Sequence, residues 1–187
     1  MSEFNSGTYL KNAVYRPTSV GDALEIVSSI TIPSGTGIAT NDILNFCRIG
    51  ENVRVEDFVL ESDDLDSSTG IVLDLGNTAD PNCFLSGSTL GQAGGEKIAR
   101  STDATSGNQF ATTPYVVRDT VQTVYATATT GATTNPATDR TITLKLKLFY
   151  ALAETELVGL TGVSSTNLLG TKVFSPSVVY TYNGAAP

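Results

Sequence analysis

The chain has 187 residues, the length of one ordinary domain, and a formal net charge of −8 with only 16% charged residues. Because globular proteins average about 25% charged residues, this chain is polar but weakly charged. No stretch approaches the roughly 18 consecutive apolar residues of a membrane-spanning helix. The first residues also lack the basic region and apolar stretch of a secretory signal. We therefore expect neither a membrane span nor a signal peptide.

Residue types that are scarce exclude several classes of function. The acidic balance argues against a nucleic-acid binder, since such proteins neutralise phosphates with Lys and Arg. The sequence has no histidine, which removes Ser-His-Asp and Cys-His catalysis and most zinc enzymes. Its two cysteines, Cys47 and Cys83, are too few for a disulfide framework. We predict that both are buried as small hydrophobic side chains.

Hydrophobic periodicity predicts the first strands. Residues 1–19 have no sustained period and are expected to form an N-terminal arm. Apolar residues then alternate over 24–32, and a second apolar run covers 43–49. The alternation over 53–60 changes face partway along, which predicts a long strand with a β-bulge.

Further strands follow at regular intervals, separated by turn residues. They are predicted at 71–76, 83–85, 115–117, 120–128 and 140–150. The Gly- and Ser-rich stretch 87–107 is expected to be an irregular surface excursion, with one helical turn at 96–99.

The segment 140–150 shows the clearest alternation in the chain. Its apolar side chains, which we expect to face the core, are Ile142, Leu144, Leu146 and Leu148. Lys145 and Lys147 lie on the opposite face, which we expect to be solvated.

Evidence for helices is thin, since only 152–160 approaches helical spacing. About eight short strands predict an all-β fold, and an antiparallel β-sandwich of jelly-roll type ranks first. We predict an N-terminal arm at 1–19, the sandwich at 20–150 and a C-terminal arm at 151–187. Residues 173–182 have strand composition, but Pro176 confines them to a sheet edge or a partner's sheet.

An acidic cluster follows the third predicted strand. Asp64, Asp66 and Ser68 match positions 1, 3 and 5 of a calcium-binding loop. The template then fails, because Gly70 stands at position 7 instead of 6 and Leu75 occupies the glutamate position 12. The alternative is a polar turn whose Asp and Ser side chains bond to its own backbone. We favour this turn and predict no metal site.

No other motif supports catalysis. Paired carboxylates could hydrolyse glycosides, but the chain has no Trp for a sugar platform, and its Tyr and Phe residues fall mostly at strand positions. Gly91, Gly94 and Gly95 do not form a phosphate loop, since Lys97 has no adjacent Ser or Thr. We predict a protein that is not an enzyme, with no catalytic residue and no cofactor.

Seven short motifs occur in a characteristic order. They are GDALE at 21–25, TIPSGT at 31–36, NDIL at 41–44, VRV at 53–55, LDS at 65–67, VLDLG at 72–76 and TITL at 141–144, before Phe149 and Tyr150. This order resembles the jelly-roll decoration (cement) proteins of tailed-bacteriophage heads. The resemblance covers about two-thirds of the chain, with long insertions near 87–113 and 129–138.

The resemblance implies a structural protein of the virion. Such a protein is made in the host bacterial cytoplasm, binds the outside of the capsid and stabilises it by bridging capsomers. Its partners would be the major capsid protein and its own copies, as a homotrimer in preference to a dimer, with no nucleic acid or membrane. The alternative is a tail- or fibre-associated β-sandwich that binds a host-surface glycan.

The two arms are the candidate assembly contacts. Both carry too many apolar residues to lie freely in water, although neither has a clear period. The candidate interface residues are Phe4, Tyr9, Leu10, Tyr15, Leu157, Leu160, Leu168, Leu169, Phe174 and Tyr180. They either cover an edge of their own subunit's sheet or extend to a neighbouring copy.

Overall fold

The computed structural model describes residues 1–18, 22–66, 68, 70–98 and 120–150, together with the backbone of 115–117. These residues lie in one unit, Met1–Ala151. The strands of this described part are β1 (Glu3–Asn5), β2 (Val14–Tyr15), β3 (Ala23–Ile32), β4 (Ile43–Ile49), β5 (Val53–Ser62), β6 (Val72–Asn77), β7 (Leu85–Ser88), β8 (Gly95–Ile98), β9 (Tyr115–Val117), β10 (Gln122–Thr130) and β11 (Arg140–Tyr150). One short helix, α1 (Gly7–Leu10), and a 3-10 turn at Leu90–Gln92 accompany them. None of the described helices is long and apolar enough to cross a bilayer.

The strands form two sheets. In the first, the order is β1–β4–β10–β6–β7, and β2 also pairs with β4. In the second, the order is β3–β11–β5–β8, and β9 also pairs with β5. Apart from β1 and β2, which run parallel to β4, the pairs are antiparallel.

The pairing is that of a long hairpin rolled into a sandwich. Among the eight main strands, the first pairs with the last (β3 with β11) and the second with the seventh (β4 with β10). The third pairs with the sixth (β5 with β8) and the fourth with the fifth (β6 with β7). Two four-stranded antiparallel sheets joined in this way make a jelly roll. The predicted all-β jelly-roll sandwich is therefore confirmed.

Strand β11 lies at the centre of the second sheet and matches its predicted bounds. It pairs with β3 from Arg140 opposite Ile32 to Phe149 opposite Ala23. The inward residues Ile142, Leu144, Leu146 and Leu148 are each at most 1% exposed, whereas Lys147 is exposed and Lys145 is partly exposed. The predicted core face of this strand is correct because alternation along a strand sends successive side chains to opposite faces.

The predicted bulge in β5 is also present. Lys147 of β11 lies opposite Asp57, but the next residue, Leu148, lies opposite Val55, so Glu56 is the extra residue. Before the bulge Val53 and Val55 are buried, and after it the buried positions become 58, 60 and 62. The bulge changes which residues of β5 face the core, as the sequence pattern indicated.

The predictions for 83–99 were partly wrong. The strand predicted at 83–85 begins at Leu85 and runs to Ser88 as β7. A helical turn was predicted at 96–99, but its described residues, 96–98, belong to strand β8, with Ile98 opposite Val59 and Glu96 opposite Glu61. A four-residue segment is too short for its periodicity to separate helix from strand, and pairing with β5 satisfies its backbone groups. The stretch from 87, expected to be irregular, therefore holds the end of β7, the 3-10 turn and β8.

The core fills the space between the two sheets. Fully buried side chains come from both sheets and from the segments that join them. Phe58 and Phe84 contact each other with ring centroids 6.1 Å apart at a tilt of 49°. Cys47 and Cys83 are buried free thiols, as predicted, and burial raises the pKa of each to about 12. Both thiols are therefore neutral at pH 7 and pack as small hydrophobic groups.

Several predictions concern residues outside the described part of the chain. They include the helical spacing at 152–160 and the strand composition at 173–182. The six C-terminal candidate interface residues, Leu157 to Tyr180, also lie outside it.

Candidate functional site

The acidic turn is built around one buried carboxylate. Asp66 is fully buried in the turn that joins β5 to β6. From the described residues, its two oxygens accept hydrogen bonds of 2.8–3.4 Å donated by five backbone amides and three hydroxyls. The amide donors are Ser68, Gly70, Ile71, Thr133 and Thr134, and the hydroxyl donors are Ser68, Thr133 and Thr134. Asp66 therefore ties its own turn to the loop between β10 and β11.

The donors decide the charge state of Asp66. Burial alone would raise the pKa of this carboxyl group, because it penalises the charged form. The amide of Thr133, the hydroxyl of Thr134, the amide of Gly70 and the hydroxyl of Ser68 outweigh burial and lower the pKa well below its ordinary value. Asp66 is therefore ionised at neutral pH and acts as a fixed acceptor.

The turn also forms hydrogen bonds between its own side chains and backbone. The Asp66 amide donates to Asp64 Oδ1 at 3.1 Å, and the Ser68 amide donates to Asp66 Oδ1 at 3.2 Å, so the turn bonds to its own side chains. The oxygens of Asp66 already face protein donors. Within the residues that the structure describes, no group of three or more Cys, Asp or Glu side chains is placed to hold a metal.

The N-terminal segment, residues 1–18, lies along the edge of the first sheet. β1 pairs with Ile43–Asn45 and β2 with Arg48–Ile49, both parallel to β4. Further hydrogen bonds run from the Ile43 amide to the Ser2 carbonyl and from the Gly50 amide to the Tyr15 carbonyl, each at 3.0 Å. Asn5 Oδ1 accepts from Asn45 Nδ2 at 2.8 Å. β1 and β2 thus cover an edge of their own subunit's sheet, and contact of this segment with a neighbouring copy stays a prediction.

Ser6 links this segment to strand β4 of the first sheet. It is almost fully buried, donates its hydroxyl to the Phe46 carbonyl and caps α1 by accepting from the Tyr9 amide at 2.9 Å. Phe46 is the extra residue of a bulge opposite β10, since Val124 pairs with Cys47 and Tyr125 with Asn45. The Ser28 hydroxyl from β3 donates to the same carbonyl at 2.7 Å. The bulge therefore directs one carbonyl oxygen at both hydroxyls.

The four N-terminal candidate interface residues have different surroundings. Phe4 and Tyr15 are partly buried and pack against the core. Tyr9 lies beneath the Arg48 guanidinium, 4.9 Å from the ring centroid, in a cation–π contact. Leu10 on α1 is 68% exposed. Of these four, Leu10 offers the most apolar surface to another molecule.

Ser6 gives a direct test of how this segment is held. Ser6→Ala removes the cap of α1 and the bond to Phe46, so we expect it to lower the free energy of unfolding by about 1 kcal/mol. Thr8→Ala, in the same helix, removes only a 3.5 Å contact to the Val27 carbonyl and should have almost no effect. Urea unfolding of both variants measures the difference. A Ser6→Ala variant as stable as Thr8→Ala would show that Ser6 does not anchor the segment.

Sequence patterns missed part of the exposed apolar surface. Val27, Ile98 and Val121 are 55%, 42% and 50% exposed. Val27 lies on the polar face of the alternating segment 24–32, and this position in the pattern was the only sequence signal that it would be exposed. The position of Ile98 depended on recognising β8 as a strand.

Comparison with known proteins identifies the fold. No protein-family model matches the sequence, and no curated protein matches it significantly. Two solved structures are similar. A chain in the structure "Capsid of Ralstonia phage GP4" matches with a TM-score of 0.64 and 22% identity, covering 81% of this chain and 100% of that chain. A chain in "Cyanophage Pam1 capsid asymmetric unit" matches with a TM-score of 0.52 and 19% identity, covering 74% of this chain and 93% of that chain. The protein therefore shares its fold with chains found in the capsid structures of two phages.

Proposed function

We propose that the chain is a non-enzymatic structural protein of a phage virion that binds the outside of the capsid and stabilises it by bridging capsomers. The observation that carries this proposal is the match over the whole length of a chain in the Ralstonia phage GP4 capsid structure. The motif order of 21–150 supports the same role independently. The arrangement of Asp66 adds support, because its buried carboxylate serves the fold rather than a substrate.

The architecture suits a protein that must remain rigid on a lattice. The N-terminal segment covers the β4 edge, which would otherwise present unpaired backbone groups to other strands. Asp66 fixes the loops at one end of the sandwich. Contacts that are weak in one copy gain strength when many copies or several subunits bind together.

We extend the proposal to self-association, with a homotrimer preferred to a dimer. Capsid lattices offer threefold positions between capsomers, and a trimer places three identical surfaces around one such position. On the N-terminal side, Leu10 is the candidate contact because Phe4 and Tyr15 pack against their own core. The C-terminal candidates are Leu157, Leu160, Leu168, Leu169, Phe174 and Tyr180.

The test uses heads of the parent phage assembled without this protein. Purified protein is added, and bound copies are counted after sedimentation while the melting temperature of the heads is recorded. We expect saturable binding at many copies per head and a higher melting temperature. Absence of binding to heads, with binding to tails or host-surface glycans instead, would contradict the proposal and favour the adhesin alternative.

A further inference from the structure

An apolar row crosses the outer face of the second sheet. Val27 of β3 lies opposite Lys145 of β11, which lies opposite Val59 of β5, which lies opposite Ile98 of β8. Directly opposed residues of antiparallel strands point to the same face. We call Val27, Lys145, Val59 and Ile98 the outer row. It places three β-branched apolar side chains in one line across four strands.

The outer row is unusual for a face turned away from the core. Its neighbours on β3 are polar or charged, namely Glu25, Ser29 and Thr31. Val27 is 55% exposed and Ile98 is 42% exposed, so the row has apolar groups near both ends. Single exposed apolar residues are common on protein surfaces, but register places these in a continuous line.

Lys145 does not interrupt the row with an uncompensated charge. Its ammonium group binds the Glu61 carboxylate on the neighbouring strand, so the charge is held to one side of the row. This hydrogen bond, together with the charges of Glu61, Glu96 and Glu25, raises the pKa of Lys145. The methylene chain of the lysine is left to extend the apolar surface between Val27 and Val59.

Carboxylates border the outer row on both sides. On one side, the adjacent row across the sheet consists of Glu25, Lys147 and Asp57, with Lys147 opposite both carboxylates. On the other side, the adjacent row consists of Thr143, Glu61 and Glu96, with Glu61 opposite both of the others. Counting Lys145, these three rows carry four carboxylates and two ammonium groups. A groove of about 190 Å³ lies where the outer row meets the Glu25 side, lined in part by Glu25, Asp57, Val59 and Lys147.

We propose that the outer row is the surface by which this chain docks on a different protein, the subunit of the capsid shell. The complementary surface would carry apolar side chains flanked by Lys and Arg, since three of the four side chains in the row are apolar and the rows on both sides carry carboxylates. A second copy fits less well, because these rows hold more carboxylates than ammonium groups, so two copies would bring surfaces of like net charge together. This inference rests on the proposed function and adds the surface and the chemistry of its partner.

The test compares variants in binding to the same protein-free heads. Val27→Asp combined with Ile98→Asp places two charges in the row, and we expect it to weaken binding at least tenfold. Val121→Asp is the matched control, because Val121 is 50% exposed but precedes β10 of the other sheet, and its binding should equal that of the wild type. Glu25→Lys, at an exposed position, should also weaken binding, and added salt should weaken the wild type. Melting temperatures and circular dichroism establish that each variant is folded.

The outcomes separate the two proposals. If the double variant and Glu25→Lys both bind heads as tightly as the wild type, the inference that the outer row docks on the shell is overturned. The proposed function is then unaffected. Failure of the wild type itself to bind heads would overturn the proposed function. A double variant that binds heads normally but changes its subunit number would show that a second copy occupies the row, which also overturns the inference.

Discussion

Replacing Asp66 with asparagine is expected to lower the free energy of unfolding by about 3 kcal/mol at pH 7. Both oxygens of the carboxylate face donors, with the Gly70 amide on Oδ2 and the Thr134 amide on Oδ1. The amide group of asparagine can satisfy only one side, and on the other its own N–H groups would meet buried N–H donors.

Urea unfolding measures the loss. Asp64→Asn is the control, because the described residues supply one amide donor to the Asp64 carboxylate, and it should cost less than about 1 kcal/mol.

The same substitution predicts a pH dependence. The folded-state pKa of Asp66 is lower than the unfolded value of about 3.9, so its contribution is fully present above that value. The contribution is lost as the pH falls below about 4 toward the folded-state pKa. The difference in unfolding free energy between wild type and Asp66→Asn should therefore shrink between pH 6 and pH 3. A difference that stays constant over this range would show that the charge of Asp66 is not what stabilises the loops.

The second large effect is expected at the centre of the core. Leu146→Ala should lower the free energy of unfolding by about 2–5 kcal/mol, because Leu146 is 1% exposed and lies between Ile26 and Phe58 on the neighbouring strands. Lys147→Ala changes the next residue on the opposite face and should cost less than about 0.5 kcal/mol. Chemical denaturation of both variants makes the comparison. Equal losses would mean that the two faces of β11 are wrongly assigned.

Long alternating segments carried most of the information about the fold. Within the eleven residues of 140–150, buried and more exposed positions alternate from 141 to 149, which is enough to define both a strand and its buried face. The change of face in 53–60 was visible because the inward-facing positions are odd-numbered before the bulge and even-numbered after it. Very short strands gave no such signal, so β1 and β2 were predicted only as parts of an arm, and β8 was mistaken for a helical turn.

Interactions between distant residues were beyond the reach of sequence patterns. The calcium template and the polar turn could both be read from 64–75, but the donors from Thr133 and Thr134 come from a loop 67 and 68 residues later. The outer row likewise depends on register between four strands. Val27 and Ile98 are 71 residues apart and come into line only through β11 and β5.

The central claim, that this protein binds the outside of a phage capsid, is tested most directly by electron cryo-microscopy of the parent virion. Heads with the protein should show the density of the sandwich on the outer surface at junctions between capsomers. Heads assembled without it should lack that density and should otherwise keep the same lattice. Density for this chain inside the shell, or at the tail and not on the head, would contradict the account.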